Sequence, residues 1–106
     1  MNDDRPTLAF FTSRSCGPGR RMESVLAQLA NRERKRLRVM RVDVEEHAEL
    51  AERFSISILP TLVLIERGRV VDRLEGGMSG SKIYGMLGEH LGGLWASPQL
   101  RLVSSG

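Results

Sequence analysis

The stretch TLAFFTSRSCGPGRRMESVLAQLA, residues 7–30, joins two different patterns of apolar residues. Thr7 to Thr12 is a short apolar run, typical of a buried strand. Beyond it, apolar side chains recur at the spacing of one helix face, namely Met22, Val25, Leu26, Leu29 and Ala30. Pro18 suits the first turn of a helix, where its missing N–H costs no hydrogen bond. The stretch therefore predicts a strand, a short turn that carries Cys16, and a helix.

The rest of the chain predicts three more strands and two more helices. In order, these are a strand over 37–44, a short helix over 48–54, a strand over 62–65, a returning strand over 70–74 and a helix over 83–91. Arg67-Gly68 separates the last two strands and indicates a β-hairpin. Ser81 is the predicted cap of the last helix. Since a strand, a helix and a strand form a right-handed unit, the first two strands should be parallel.

Length and composition predict one domain with a tail. The 106 residues are 41% apolar, enough to bury a core without disulfides or a structural metal. We expect the domain to cover residues 1–91 and a C-terminal tail to cover 92–106. The tail could dock on the domain, remain mobile or pair as an interaction strand. Its apolar residues are Leu94, Trp95, Leu100, Leu102 and Val103.

Charge and targeting signals predict a cytoplasmic protein without nucleic acid or membrane partners. The net charge is +3, but the basic residues of 14–41 are followed by an acidic stretch, which is typical of solvated faces. Few aromatic residues interleave with the basic ones, so a phosphate-binding groove is not indicated. We find no secretory signal before the first strand and no apolar stretch long enough to span a bilayer. One unpaired cysteine fits a reducing compartment.

Several motifs in this order resemble the thioredoxin family. A Cys-Gly-Pro motif follows the first strand, and the segments Phe10-Phe11-Thr12, Val39 to Val44 and Ile58 to Thr61 are similar to the family's core strands and its Ile-Pro-Thr segment. Gly68 and Gly76 match the hairpin glycine and the glycine after the hairpin. The resemblance covers residues 7–91. It implies an α/β fold with a central four-stranded mixed sheet in the order βαβαββα, without the family's N-terminal strand and helix.

The resemblance also implies a site around Cys16. This residue would be the nucleophile at a helix N-terminus, where the helix dipole favours the thiolate. Gly17, Pro18 and Gly19 would form the active-site loop. Pro60 would be the family's cis-proline and would form a substrate groove with its neighbours, which are Leu59, Thr61, Gly76 and Gly77.

The chain departs from the family pattern at four positions, one of which is Arg41 in place of the family's buried lysine. Gly19 stands where the family has its second, resolving cysteine, and Ser15 stands where a tryptophan precedes the nucleophile. Phe10 falls at the family's buried acid, which assists proton transfer at the second sulfur. A site that never handles a second thiol has less need of a buried proton acceptor, so these losses agree with one another.

Three functions remain open. The first is monothiol exchange through Cys16, in which an external thiol completes turnover. Its partners would be a client protein or a low-molecular-weight thiol. The second is a peptide- or protein-binding module that has lost turnover. The third is an ordinary dithiol protein in which Gly19 is a substituted position.

The surroundings of Cys16 have alternatives too. Free cysteine is often a small buried hydrophobe, but a turn position between Ser15 and Gly17, followed by two arginines, predicts an exposed, electropositive thiol. Three nearby arginines are either solvated charges or act on the thiolate or an acidic partner, namely Arg14, Arg20 and Arg21. Cys16, His47 and His90 have no recognised metal-ligand spacing, and an iron–sulfur cluster shared between monomers is disfavoured by the flanking motif. We therefore predict no metal and no cofactor.

Overall fold

A computed structural model describes residues 4–93 and 95. Its elements are β1 (Thr7–Thr12), α1 (Gly17–Arg32), β2 (Arg38–Asp43), α2 (Ala48–Arg53), β3 (Thr61–Glu66), β4 (Arg69–Glu75) and α3 (Gly80–Leu91). The predicted order βαβαββα is confirmed. Across the described residues, no helix combines the length and the apolar character that crossing a membrane requires.

The four strands form one mixed sheet in the order β2-β1-β3-β4. β1 and β2 are parallel, with Phe10 opposite Arg41, as the strand-helix-strand unit requires. β3 runs antiparallel to both β1 and β4. The turn between β3 and β4 consists of Arg67 and Gly68, with φ values of 54° and 79°. Two consecutive positive φ angles are those of a type I′ hairpin turn, so this prediction is also confirmed.

Both faces of the sheet are covered, which explains the unbroken apolar run of β1. Leu8 and Phe10 point to the face that α1 and α3 cover, where they pack with Leu26 and Ile83. Their neighbours Ala9 and Phe11 point to the opposite face, toward α2. Successive side chains of a strand alternate between faces. A strand that is buried on both faces therefore needs apolar residues at every position.

The cap of α3 differs from the prediction. The helix begins at Gly80, and its N-cap is Ser79 rather than Ser81. The Ser79 hydroxyl accepts a hydrogen bond from the Lys82 N–H at 3.3 Å. A capping side chain reaches the N–H groups two or three residues further on, so the residue just before Gly80 fills this role.

The predicted tail lies mostly outside the described residues, including Leu94, Leu100, Leu102 and Val103. Trp95 is described. Its indole N–H donates to the Gly92 carbonyl at 2.7 Å, and the Arg36 guanidinium lies 3.9 Å from the ring centroid. Trp95 also packs against the apolar cluster under α1 and α3. This part of the tail is therefore docked on the domain.

Candidate functional site

Cys16 is the N-cap residue of α1, with φ and ψ of −83° and 100°. The loop from β1 to α1 is short, and the Cys16 N–H donates to the Ser13 carbonyl at 3.2 Å. The Cys16 carbonyl accepts from the Arg20 N–H at 3.2 Å and so opens the helix. The first N–H groups of a helix have no partner within the helix, and its dipole places partial positive charge there. The sulfur therefore lies at the N-terminal end of this helix.

The expectation that Cys16 is exposed is wrong, because the residue is only 9% exposed. The loop folds back on itself through Ser13, and the backbone of Gly19 lies against the sulfur. Gly17 and Pro18 are exposed beside it. Little of the Cys16 side chain is therefore accessible to a reaction partner.

The Thr12 side chain lies close to the backbone of Gly19, next to the sulfur of Cys16. A Cβ on residue 19 would lie 3.2 Å from Sγ of Cys16 and only 2.3 Å from Oγ1 of Thr12. Thr12 is 1% exposed, and its branched side chain has few rotamers to which it can move. The hydroxyl of Thr12 thus occupies space that a side chain at residue 19 would need. Sequence reasoning missed Thr12, whose only signal was a hydroxyl at the end of an apolar strand.

The position of the family's buried acid is part of the apolar core. Phe10 is 2% exposed and packs in the cluster under α1 and α3. Asp43 is the one carboxylate among the described residues that is similarly buried, and its Oδ1 accepts from the Glu45 N–H at 2.8 Å. This hydrogen bond holds the turn after β2. Glu23 lines a cavity together with Phe10, but its carboxylate is partly exposed and forms an ion pair with Arg41 at 2.6 Å, so it is not a buried acid.

The predicted groove residues come together at the end of the sheet that carries the cysteine loop. Phe11 of β1 pairs with Thr61 of β3, and the Leu59–Pro60 peptide bond just before Thr61 is cis. The Gly76 N–H donates to the Pro60 carbonyl at 2.8 Å. The chain following β4 is thereby held beside the segment that precedes β3.

Gly77 connects this region with the cysteine loop. A Cβ on residue 77 would lie 3.0 Å from Cβ of Pro18, so glycine allows the two backbones to approach closely. The two segments line a cleft of about 380 Å³ together with Arg21, Met22, Met78 and Ser79. The cleft lies next to the first turn of α1, and of the predicted groove residues only Gly77 lines it.

The three arginines predicted near the site are exposed. Arg21 lines the cleft, and Arg20 donates its backbone N–H to Cys16. Within the described part of the chain, neither these two nor Arg14 forms an ion pair with a carboxylate. Their positive charge is therefore available to solvent or to an acidic partner.

The two histidines lie in other parts of the fold. His47 is the N-cap residue of α2, and Nε2 of His90 lies 2.8 Å from Oδ2 of Asp72, which ties α3 to β4. Residues 4–93 and 95 contain no group of three histidine, cysteine, aspartate or glutamate side chains that could hold a metal ion. Cys16, His47 and His90 are not brought together as ligands.

Comparison with known proteins gives consistent matches over most of the chain. The family model described as Thioredoxin matches residues 1–89. A thioredoxin-like protein of Synechocystis is 35% identical over 72 residues, which are 68% of this chain and 69% of that protein. A chloroplastic thioredoxin Y2 of Arabidopsis thaliana is 30% identical over 83 residues, or 78% of this chain. The match spans only 50% of the length of that plant protein.

Solved structures agree with the sequence matches. The germline-specific thioredoxin Deadhead of the fruit fly superposes with a TM-score of 0.78 at 28% identity, and the match covers 83% of each chain. A thioredoxin of Fasciola hepatica gives a TM-score of 0.77, also at 28% identity and 83% of each chain. The family match, the sheet order and the placement of Cys16 lead to one conclusion. The chain belongs to the thioredoxin family.

Proposed function

We propose that the protein carries out thiol-disulfide exchange through Cys16 alone, with an external thiol completing each turnover. The observation that carries this proposal is the placement of the single cysteine at the N-cap of α1, whose first turns also line a cleft. The site residues would be Cys16, the loop from Gly17 to Gly19, and the groove of Leu59, Pro60, Thr61, Gly76 and Gly77. A reducing compartment such as the cytoplasm suits this chemistry.

The reaction balances with two external thiols. The Cys16 thiolate attacks one sulfur of a client disulfide, forms a mixed disulfide and expels the other client sulfur as a thiolate, which takes up a proton. An external thiolate then attacks the Cys16 sulfur and releases the remaining client sulfur in reduced form. A second external thiolate attacks the new adduct and frees Cys16. Two external thiols are oxidised to one disulfide while one client disulfide is reduced.

The geometry around residue 19 supports external completion. A resolving thiol would have to come from this position in the first turn of α1, but the position holds glycine and is crowded by Thr12. The missing acid at Phe10 removes the proton acceptor that a second internal sulfur would use. Arg21 at the cleft, with the exposed Arg14 and Arg20 nearby in the sequence, adds a preference for clients with acidic residues near the disulfide.

The test is reduction of insulin disulfides with and without glutathione, followed by mass spectrometry of Cys16. We expect reduction above the glutathione background only when protein and glutathione are both present, and a glutathione adduct on Cys16. Cys16→Ser is the matched control and should show neither. Protein-dependent reduction without any added thiol would contradict the external step.

A non-catalytic binding module is the second candidate, favoured by the burial of Cys16 at 9% exposure. In that case the cleft alone recognises an extended peptide, and the sulfur takes no part. Capture of client peptides by the wild-type chain and by Cys16→Ser separates the two candidates. Equal capture, together with no adduct on Cys16, would establish the binding module and remove the exchange mechanism.

A further inference from the structure

One side chain of the edge strand β4 reaches the end of α2. The Arg73 guanidinium donates to the Phe54 carbonyl through one terminal nitrogen, at 2.6 Å, and to the Ser55 carbonyl through the other, at 3.4 Å. Arg73 lies opposite Val63 in the β3–β4 pair, so its side chain is on the face of the sheet that α2 covers. Arg73 therefore joins β4 to the segment that follows α2.

The end of α2 is a place where such a donor matters. The helix is six residues long, and none of its residues is buried. Its C-cap residue, Phe54, packs on Phe11 with the two ring centroids 5.7 Å apart. The last carbonyls of a helix have no partner within the helix, and an arginine that donates to them stabilises that end. Arg73 supplies this donor from the sheet.

The two carbonyls that Arg73 contacts lie on either side of the Ser55 Cα. Ser55 has a φ of 54°, in the left-handed region that a residue with a side chain seldom adopts. The Phe54 carbonyl belongs to the peptide group before this Cα, and the Ser55 carbonyl belongs to the one after it. A guanidinium is planar and its N–H groups form a rigid fork, so donation to both carbonyls fixes the two peptide groups relative to each other. Arg73 thereby sets the direction in which the chain leaves α2.

That direction leads to the predicted groove. Residues 56–58 connect Ser55 to the groove residue Leu59. At the far end of this connection, Oγ1 of Thr61 donates to the Ile58 carbonyl at 2.5 Å. Residues 57 and 58 are exposed between these two anchors. Because the connection is so short, the orientation of its backbone is determined by the anchors at its two ends.

We propose that Arg73 is a positioning residue for client binding, which holds residues 56–59 in the orientation that accepts an extended peptide. This inference rests on the proposed function, in which the segment from Leu59 to Thr61 binds the client. A binding segment that is already ordered loses less conformational entropy when its partner arrives. Within the described part of the chain, the Arg73 side chain donates to the end of α2 and not to the cysteine loop. It should therefore affect how a client binds and not how the Cys16 thiol reacts.

The kinetics of insulin reduction with glutathione test this role. Arg73→Met keeps a side chain of similar length and removes both donors. We expect its KM for insulin to rise about threefold to tenfold, while kcat and the rate at which Cys16 reacts with glutathione disulfide stay within about twofold of wild type. Arg73→Lys keeps a donor for the nearer carbonyl and should give an intermediate KM. Arg69→Met is the matched control, since Arg69 is an exposed arginine of the same strand, and it should leave KM unchanged.

Amide hydrogen exchange measures the position of the segment without a client. The Ile56 N–H donates to the Ala51 carbonyl at 2.8 Å, just after the two carbonyls that Arg73 contacts. In Arg73→Met the Ile56 amide should exchange about tenfold faster. The Val63 amide, in the central strand β3, should keep its wild-type rate and so show that the variant is folded.

An unchanged KM for insulin in Arg73→Met would overturn the inference. Equal effects of Arg73→Met and Arg69→Met would overturn it too, as would a parallel loss in the reaction with glutathione disulfide. If wild-type Cys16 reacts with neither disulfide, the proposed exchange fails by itself. Capture of insulin by Cys16→Ser, with and without Arg73→Met, then decides the role of Arg73: weaker capture by the double variant supports it and equal capture overturns it.

Discussion

Oγ1 of Thr12 lies 2.3 Å from the point at which a Cβ of residue 19 would stand. The glycine in the Cys-Gly-Pro-Gly motif is therefore matched to a particular neighbour in the buried end of β1. A cysteine at residue 19 would meet the same hydroxyl before its sulfur could reach Cys16. A cysteine at residue 19 therefore requires the Thr12 side chain or the adjoining backbone to shift.

An alanine at residue 19 should lower the free energy of unfolding more than an alanine at residue 17. We expect Gly19→Ala to lower the free energy of unfolding by about 1–3 kcal/mol, because an extra methyl group overpacks a buried site. Gly17→Ala is the matched control: no atom lies within 4 Å of its added Cβ, and the change should stay within about 0.5 kcal/mol. Urea denaturation measures both.

Thr12→Ala should rescue Gly19→Ala, because it removes the hydroxyl that the new methyl group meets. A double-mutant cycle should give a coupling energy of about 0.5–3 kcal/mol, with Gly19→Ala less destabilising when residue 12 is alanine. Equal losses for the two glycine variants, or strict additivity with Thr12→Ala, would show that the two residues do not compete for this space.

Ser79→Ala should destabilise the protein by about 1 kcal/mol, because the Lys82 N–H loses its capping acceptor. Ser81 lies two residues further on and is exposed. Ser81→Ala should therefore change the free energy of unfolding by less than about 0.5 kcal/mol. Thermal and urea unfolding distinguish the two variants, and a larger loss for Ser81→Ala would contradict the observed cap.

Phe10 should tolerate only apolar replacements. Phe10→Ala should cost about 3–5 kcal/mol through the cavity it leaves, whereas Phe10→Leu should cost less than about 1.5 kcal/mol. Phe10→Asp should cost more than the alanine variant, because it places a carboxylate without a partner in an apolar cluster. An aspartate variant as stable as wild type would mean that the core can accommodate the family's acid.

Reversing the charge of Arg21 should slow the reaction of Cys16 with an acidic client. Arg21 lines the cleft and has no carboxylate partner within the described part of the chain. Arg21→Glu should reduce the rate of mixed-disulfide formation with an acidic peptide about threefold to tenfold at low salt, and high salt should erase the difference.

Arg53→Glu is the control for that experiment, since Arg53 is exposed on α2 and the net charge falls by the same amount. The reaction with a neutral peptide should be unaffected in both variants. Equal loss for Arg21→Glu and Arg53→Glu would show that only the overall charge of the protein matters.

The arrangement of elements was predictable from the sequence because apolar periodicity records burial. The strand Thr7–Thr12 has the predicted bounds, since both of its faces are covered and its apolar run ends where the loop begins. The cap of α3 was not predictable in the same way. Both Ser79 and Ser81 precede apolar residues at helical spacing, and the start of the helix at Gly80 carries no signal of its own.

The site was predictable in outline but not in its packing. The motif around Cys16 fixes the position of the sulfur at a helix N-terminus, because a strand-turn-helix connection leaves little choice. The close packing beside the sulfur instead involves Gly19 and Thr12, which are seven residues apart in the sequence. Contacts of this kind between residues in different elements produce no periodic pattern in the sequence.

The strand that leads to Cys16 is held on both sides, by β2 and by β3. A mixed disulfide would join a client to the loop at the end of this strand. Any force on the client would then act on the strand. Two neighbouring strands would share that load, so the tether is anchored at the centre of the sheet. A strand at the edge would be peeled away one hydrogen bond at a time.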